Sequence, residues 1–352
     1  MAKFPTVRTP TIDEVLDIAD DFGLNLSIED AESYQGLMAG TVASYDRLDD
    51  LAEPKLEVKY PRTTGYRPPP EENPYNAWYW KSKVKGKTRG LLSGKTIVLK
   101  DNICLAGVPM MNGSMVLEGF VPDVDATVVT RILDAGGTII GKAANTNLCF
   151  DGGSATTATG MVENPHKRGY SAGGSSAGSA VLVAIGEADM GMGGDQGGSI
   201  RIPACWSGIV GHKPTHGLVP YTGVFPIEMT LDHTGPMTKN VTDAALLLQA
   251  IAGSDGQDPR QIDCRTQDYV KALSKGVNGM KIAILKEGFG HPESEKIVDQ
   301  KVRSAARSFK SLGAIVKEVS IPIHLDGFHI WNAIAVEGAT ELMLKGNGFG
   351  TN

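Results

Sequence analysis

The stretch Ser171–Ala180, SAGGSSAGSA, followed by Asp195–Pro203, DQGGSIRIP, decides how this chain is read. Two glycine-serine loops flank one apolar segment. Val181–Ile185 is continuously apolar, which predicts a buried helix between the loops. Its N-terminus would present Ser175 and Ser176 among free backbone N–H groups, an end that favours negative charge. In the second loop Gly197 and Gly198 carry no Cβ beside Ser199. Successive amides of Gln196, Gly197, Gly198 and Ser199 can therefore converge on one point near its hydroxyl, which is how an oxyanion hole is built.

A serine hydroxyl needs a base to become a nucleophile, and neither loop contains a histidine. The upstream alternative is Lys100, at the end of the apolar run KTIVLK. A lysine serves as a base when it is neutral, and a buried strand end favours the neutral amine by stripping water from the ammonium. Taken alone, Lys100 would be an ordinary strand-end lysine reaching for solvent. Its place ahead of two serine loops favours the catalytic reading.

Outward from this centre, Thr96–Leu99 and Thr138–Ile140 are short apolar runs that alternate with helical stretches, the pattern of an α/β domain. Residues 11–52 read as helical: Thr11 and Glu14 form a capping box, and a second helix starts near Ser27. Pro61, Pro68, Pro69, Pro70 and Pro74 then exclude regular helix, so a boundary falls there. The organisation expected is an N-terminal helical segment and proline-rich linker over 1–75, then a core over 76–352. Later, Val298, Val302, Ala305, Phe309 and Leu312 keep helical spacing, and Gly313 and a strand at Ala314–Val319 follow. A further helix is expected around Trp331–Leu344, before the chain closes on GNGFGTN.

Composition narrows the function. A formal charge of −6, with no Lys/Arg-rich run, lacks the footprint of a nucleic-acid binder. No apolar stretch approaches a membrane span, and the N-terminus has no signal-like apolar region. The reading is a cytoplasmic protein acting on a small molecule. Cys104, Cys149, Cys205 and Cys264 lie far apart with no metal-ligand spacing, so neither zinc nor disulfides are expected, and Cys149 and Cys205 are read as packing residues.

The motifs GGSSAGSA and GGDQGGSIRIPA resemble the signature of the amidase signature family, and VLKDNI resembles its lysine motif. CWSGIVGHKPTHGLVP and LDHTGPMT extend the match over about 92–239. The resemblance implies a mixed β-sheet core covered by helices on both faces, with Ser199 as nucleophile, Ser175 as proton relay after a cis peptide at Gly174, and Lys100 as base. It implies hydrolysis of amides through an acyl-enzyme, with no metal or organic cofactor. The opening FPTVRTPTIDEV and the tract ENPHKRGYSAGGSSAGSA look most like broad-spectrum amidases of nitrile degradation, which implies a homodimer. Family members are generally longer, so a shortened C-terminus is expected.

Rival readings attach to the same residues. Gly174–Gly178 fits G-x-S-x-G, which would make Ser176 the nucleophile of an α/β-hydrolase-type esterase using His212, His216, His233, His324 or His329. That pattern leaves the second loop and Lys100 unexplained, so Ser176 is read as a helix-start residue. Arg201 is either a substrate-carboxylate clamp or, as favoured, a buried ion-pair partner of Asp195. On function, the alternatives are a glutaminase subunit of a tRNA-dependent amidotransferase and a non-catalytic binding protein.

Overall fold

The structure, a computed structural model, describes residues 7–51 and 55–345; the closing GNGFGTN lies outside the described residues. The chain divides into two units, residues 1–55 and 56–352. In the first, α1 (Ile12–Asp21) and α2 (Ile28–Asp50) each start on a capping box, Thr11 with Glu14 and Ser27 with Asp30. Each box satisfies two orphan N–H groups, which sets both helix starts.

The second unit runs β1 (Trp78–Lys85), β2 (Thr96–Lys100), α3 (Thr127–Asp134), β3 (Thr138–Ala143), α4 (Ala177–Ile185) and β4 (Met190–Gly194). It continues with α5 (Arg201–Ser207), β5 (Val210–Gly211), β6 (Thr234–Thr238), α6 (Val241–Ile251) and α7 (Tyr269–Ala272). It then adds β7 (Lys281–Leu285), α8 (Lys296–Ser308), β8 (Ile315–Val319) and α9 (Gly327–Ala339). Strands β1 to β6 form one mixed sheet in the order β1-β3-β2-β4-β6-β5, with β2 parallel to both β3 and β4. The proline-rich stretch belongs to this unit, where Tyr66 bridges to Lys81 of β1. The apolar spacing of α8 gives the helix, but Val298 and Val302 stay exposed.

Alternation along the strands decides where the chemistry falls. Ile97 and Leu99 of β2 enter a core built with α3 and α6, whereas Val98 enters a second core built with α4. With a side-chain period of two, Lys100 follows Val98 to the α4 face. In β4, Met190 and Met192 take the first core. Gly191 and Gly193 leave the other face bare, so close that a Cβ on Gly191 would sit 3.3 Å from Ser179 Cβ. The glycines let α4 settle onto the sheet, and its N-terminus comes down beside Lys100.

The first turn of α4 is equally tight. A Cβ on Gly178 would meet the carbonyl oxygens of Ala77 and Ala144, 2.6 Å from the latter. Both obstacles are backbone, which cannot rotate away. Gly178→Ala is expected to lower stability by ~1–3 kcal/mol, the cost of overpacking. Urea unfolding measures it, and an unchanged midpoint would contradict the close approach.

Candidate active site

Lys100 Nζ donates to Ser175 Oγ at 2.6 Å, and both side chains are fully buried. The Gly174–Ser175 peptide is cis. No carboxylate pairs with Lys100 among the described residues. Its second contact is the Gly194 carbonyl at 3.5 Å, and that carbonyl also accepts from Ser176 Oγ at 3.1 Å. The two serine loops are tied directly, because Ser176 N–H donates to the Ser199 carbonyl at 3.2 Å.

Ser176 departs from the expectation of a helix cap. Although it occupies the N-cap position of α4, its hydroxyl bonds no amide of that helix; it accepts from Gly194 N–H and donates to Gly194 O, both at 3.1 Å. Its hydroxyl thus locks α4 to the end of β4. Among the described residues no histidine bonds this hydroxyl, as the esterase reading would want. Ser176 is fully buried, while His233 engages Lys213 and the Leu231 carbonyl, and His216 faces the Met229 carbonyl.

The loop that carries Ser199 is shaped by Asp195. Its buried carboxylate accepts the Gly198 N–H at 2.8 Å, the Ile200 N–H at 3.2 Å and a two-pronged Arg201 fork at 2.9 and 2.8 Å. Burial pushes the Asp195 carboxyl up, but the Arg201 fork and the two amides outweigh it and hold the group below the usual range. Arg201 is half-exposed, so only the acidic end of the pair is buried. Its Nε and Nη2 edge is taken by Asp195, which favours the ion-pair reading over the clamp.

One expected oxyanion donor is corrected by this contact. The Gly198 amide is committed to Asp195, and its φ of 127° suits only glycine. The amides of Gln196, Gly197 and Ser199 have no protein acceptor among the described residues and stay available to a ligand.

Ser199 opens into a cavity of about 160 Å³ whose walls include Phe150, Ile202, Ile227, Leu231 and Trp331. A larger cleft of about 540 Å³, near His212 and Arg265, contains none of the three expected catalytic side chains. The Ser199 hydroxyl makes no hydrogen bond among the described residues, so the Lys100–Ser175 link is formed and the Ser175–Ser199 link is open. Such contacts commonly tighten only when substrate is seated.

Three residues here escape the motif reading. Trp331 donates its indole N–H to the Gln196 carbonyl at 2.8 Å and lays its ring against Gly197, where any Cβ would collide. Cys149 lines the cavity, donating to Asn112 Oδ1 at 3.1 Å; burial pushes its thiol up, with Lys100 opposing. Asp232 grips Gln196 from behind at 2.7 Å. Only Asp232 lies inside a quoted motif, LDHTGPMT.

A buried lysine bonded to a serine on a cis peptide, beside a glycine-flanked serine, defines a class of acyl-transfer site. Residues 69–348 match the Amidase family model, and the chain belongs to that family. It is 46% identical over 99% of its length to an enantioselective amidase of Rhodococcus rhodochrous, spanning 67% of that protein. It is 35% identical over 89% of its length to the A subunit of the glutamyl-tRNA(Gln) amidotransferase of a Synechococcus, spanning 64% of it. Among solved structures, the A subunit of that amidotransferase from Thermotoga maritima superposes with a TM-score of 0.70 at 30% identity, covering 97% of this chain and 67% of that one. The chain thus spans about two thirds of the length of these two curated relatives, 67% and 64%.

Proposed function

We propose that this chain hydrolyses carboxylic amides to a carboxylic acid and ammonia. The observation that carries the reading is the buried, carboxylate-free Lys100 bonded to Ser175, whose loop is tied to that of Ser199 through the Ser176 N–H and the Ser199 carbonyl. With the amine neutral, the same contact runs from the Ser175 hydroxyl to the lysine lone pair. Lys100 takes the Ser175 proton while Ser175 takes that of Ser199, and Ser199 Oγ attacks the amide carbon. The free amides of Gln196, Gly197 and Ser199 face the oxygen on which charge develops. Ser175 then returns a proton to the departing nitrogen, and ammonia leaves. Water enters by the same relay, adds to the acyl carbon and releases the acid.

The apolar walls favour an aromatic or branched aliphatic acyl group. A cavity of ~150 Å³ holds a benzene ring. The amidotransferase relatives motivate a second reading, glutamine hydrolysis for a partner subunit. Glutamine brings an α-carboxylate, and among the described residues no Lys or Arg lines the cavity to receive it. The independent amidase is therefore favoured. As a broad-spectrum amidase it would consume amides made by nitrile hydration, working in the cytoplasm as a homodimer. Exposed Phe22, Leu37 and Leu48 on α1 and α2 or at their ends support a contact between copies. No helix among the described residues is long and apolar enough to cross a membrane.

The test is rapid quenching of the chain with benzamide, followed by peptide mass spectrometry and an ammonia assay. The expected result is ammonia release with a benzoyl group on the peptide at Ser199. Benzoylation of Ser176 instead, or ammonia from glutamine but not from benzamide, would overturn the reading.

A further inference from the structure

Behind the Ser199 loop runs a buried polar chain that the reaction above does not use. Asp232 Oδ1 accepts from Gln196 Nε2 at 2.7 Å. The other Nε2 proton of Gln196 goes to Tyr221 Oη at 3.0 Å, and Tyr221 Oη also accepts from Asn102 Nδ2 at 3.4 Å. Asn102 lies two residues beyond Lys100. The chain therefore joins the segment bearing the free amides to the segment bearing the base. Gln196 is held at its backbone as well, through Trp331.

We propose that Asp232 is a positioning residue for amide hydrolysis: its ionised carboxylate fixes Gln196 and thereby aims the free amides of Gln196 and Gly197 into the cavity. The inference rests on the reading that Ser199 is acylated there. A carboxylate only accepts, so it dictates that the Gln196 amide turns its NH₂ toward Asp232. Protonation removes that instruction. The Asp232 hydroxyl then prefers an oxygen, and Gln196 Oε1, buried without a partner, is the oxygen next to it. Turning the amide over would withdraw Nε2 from both Asp232 and Tyr221 and leave one acceptor oxygen where two N–H donors had fixed the side chain, so Gln196 would be held in a different position.

The surroundings put this transition within reach. Burial pushes the Asp232 carboxyl up to about 7, restrained by the Gln196 amide, the Ile227 N–H and the Arg260 guanidinium. The other titratable groups acting on this cluster are the Tyr221 phenol and the Cys149 thiol; Arg260 is itself paired with Asp258.

The experiment compares kcat and KM of the wild-type chain and Asp232→Asn on benzamide at pH 8.5 and pH 5.5. Taking the ratio of the two proteins cancels any pH effect common to both. At pH 8.5 the variant is expected to be slower by ~10-fold or more in kcat with little change in KM, a partial loss of oxyanion stabilisation. At pH 5.5, where the wild-type carboxyl is protonated too, the two rates converge. A ratio that is the same at both pH values marks a merely structural effect and overturns the proposal. If Asp232→Asn fails to fold, Gln196→Met cuts the same link from the loop side and must give the same convergence. Absence of benzamide turnover by the wild type at any pH would sink the amidase reading and this inference with it. Wild-type turnover with a pH-independent ratio would sink this inference alone.

Discussion

Ser199→Ala and Lys100→Ala are each expected to lower amide turnover by ~10⁴-fold or more while the chain stays folded. Groups that act as one proton-transfer unit fail together, so either deletion removes nearly the whole covalent pathway. Ser199 lines the cavity and is the nucleophile of the proposed reaction, in which no acyl-enzyme forms without its oxygen. Lys100 has no carboxylate to balance it among the described residues. Truncating a fully buried side chain leaves a cavity, so Lys100→Ala is expected to cost some stability as well, which the melts read separately from the loss of turnover. Ser175→Ala should also be severe, since it breaks the link between base and nucleophile. Ser176→Ala should retain most of the rate, because its hydroxyl serves only the Gly194 peptide. Ammonia-release assays beside circular dichroism melts would read both quantities. Near-full turnover by Ser199→Ala, or a Ser176→Ala loss matching it, would refute this order.

Much of that arrangement is legible along the chain, for physical reasons that can be named. The Thr11–Glu14 capping box marks the start of α1, because the side-chain pattern itself satisfies the orphan amides, and the start of α2 near Ser27 is legible too, while its box with Asp30 emerges only in the structure. Alternation in β2 puts Lys100 on the face of Val98, and the glycines of β4 leave room for the helix that carries Ser175 to its N-terminus. What stays hidden depends on partners distant in sequence. The Gly198 amide looks like an oxyanion donor until Asp195 is seen to occupy it. Ser176 looks like a cap until the Gly194 peptide is found within reach of its hydroxyl. Trp331 lies 135 residues from Gln196 along the chain, and no local pattern announces that its indole closes the loop.

Lys142→Met should do the opposite of Lys100→Ala, losing stability rather than chemistry. The two lysines sit on neighbouring strands, Lys142 opposite Leu99 in the β2–β3 register, and both are fully buried. Their partners separate them. Lys142 Nζ lies 3.0 Å from Asp101 Oδ1, and Asp101 Oδ2 accepts the amides of Met111 and Asn112 at 2.9 and 2.8 Å. Removing the Lys142 charge strands that carboxylate in a dry interior, a change that typically costs ~3–5 kcal/mol. For a domain of this size that is a drop of ~5–8 °C in melting temperature. The double variant Lys142→Met, Asp101→Asn should recover part of the loss, because an amide in place of the carboxylate leaves no uncompensated charge. Below its melting transition the single variant should keep the acyl-enzyme step, since neither member of the pair touches Ser175 or Ser199. Denaturant unfolding with a cost under ~1 kcal/mol, or no recovery in the double variant, would mean that the Asp101 loop is held by its backbone bonds alone.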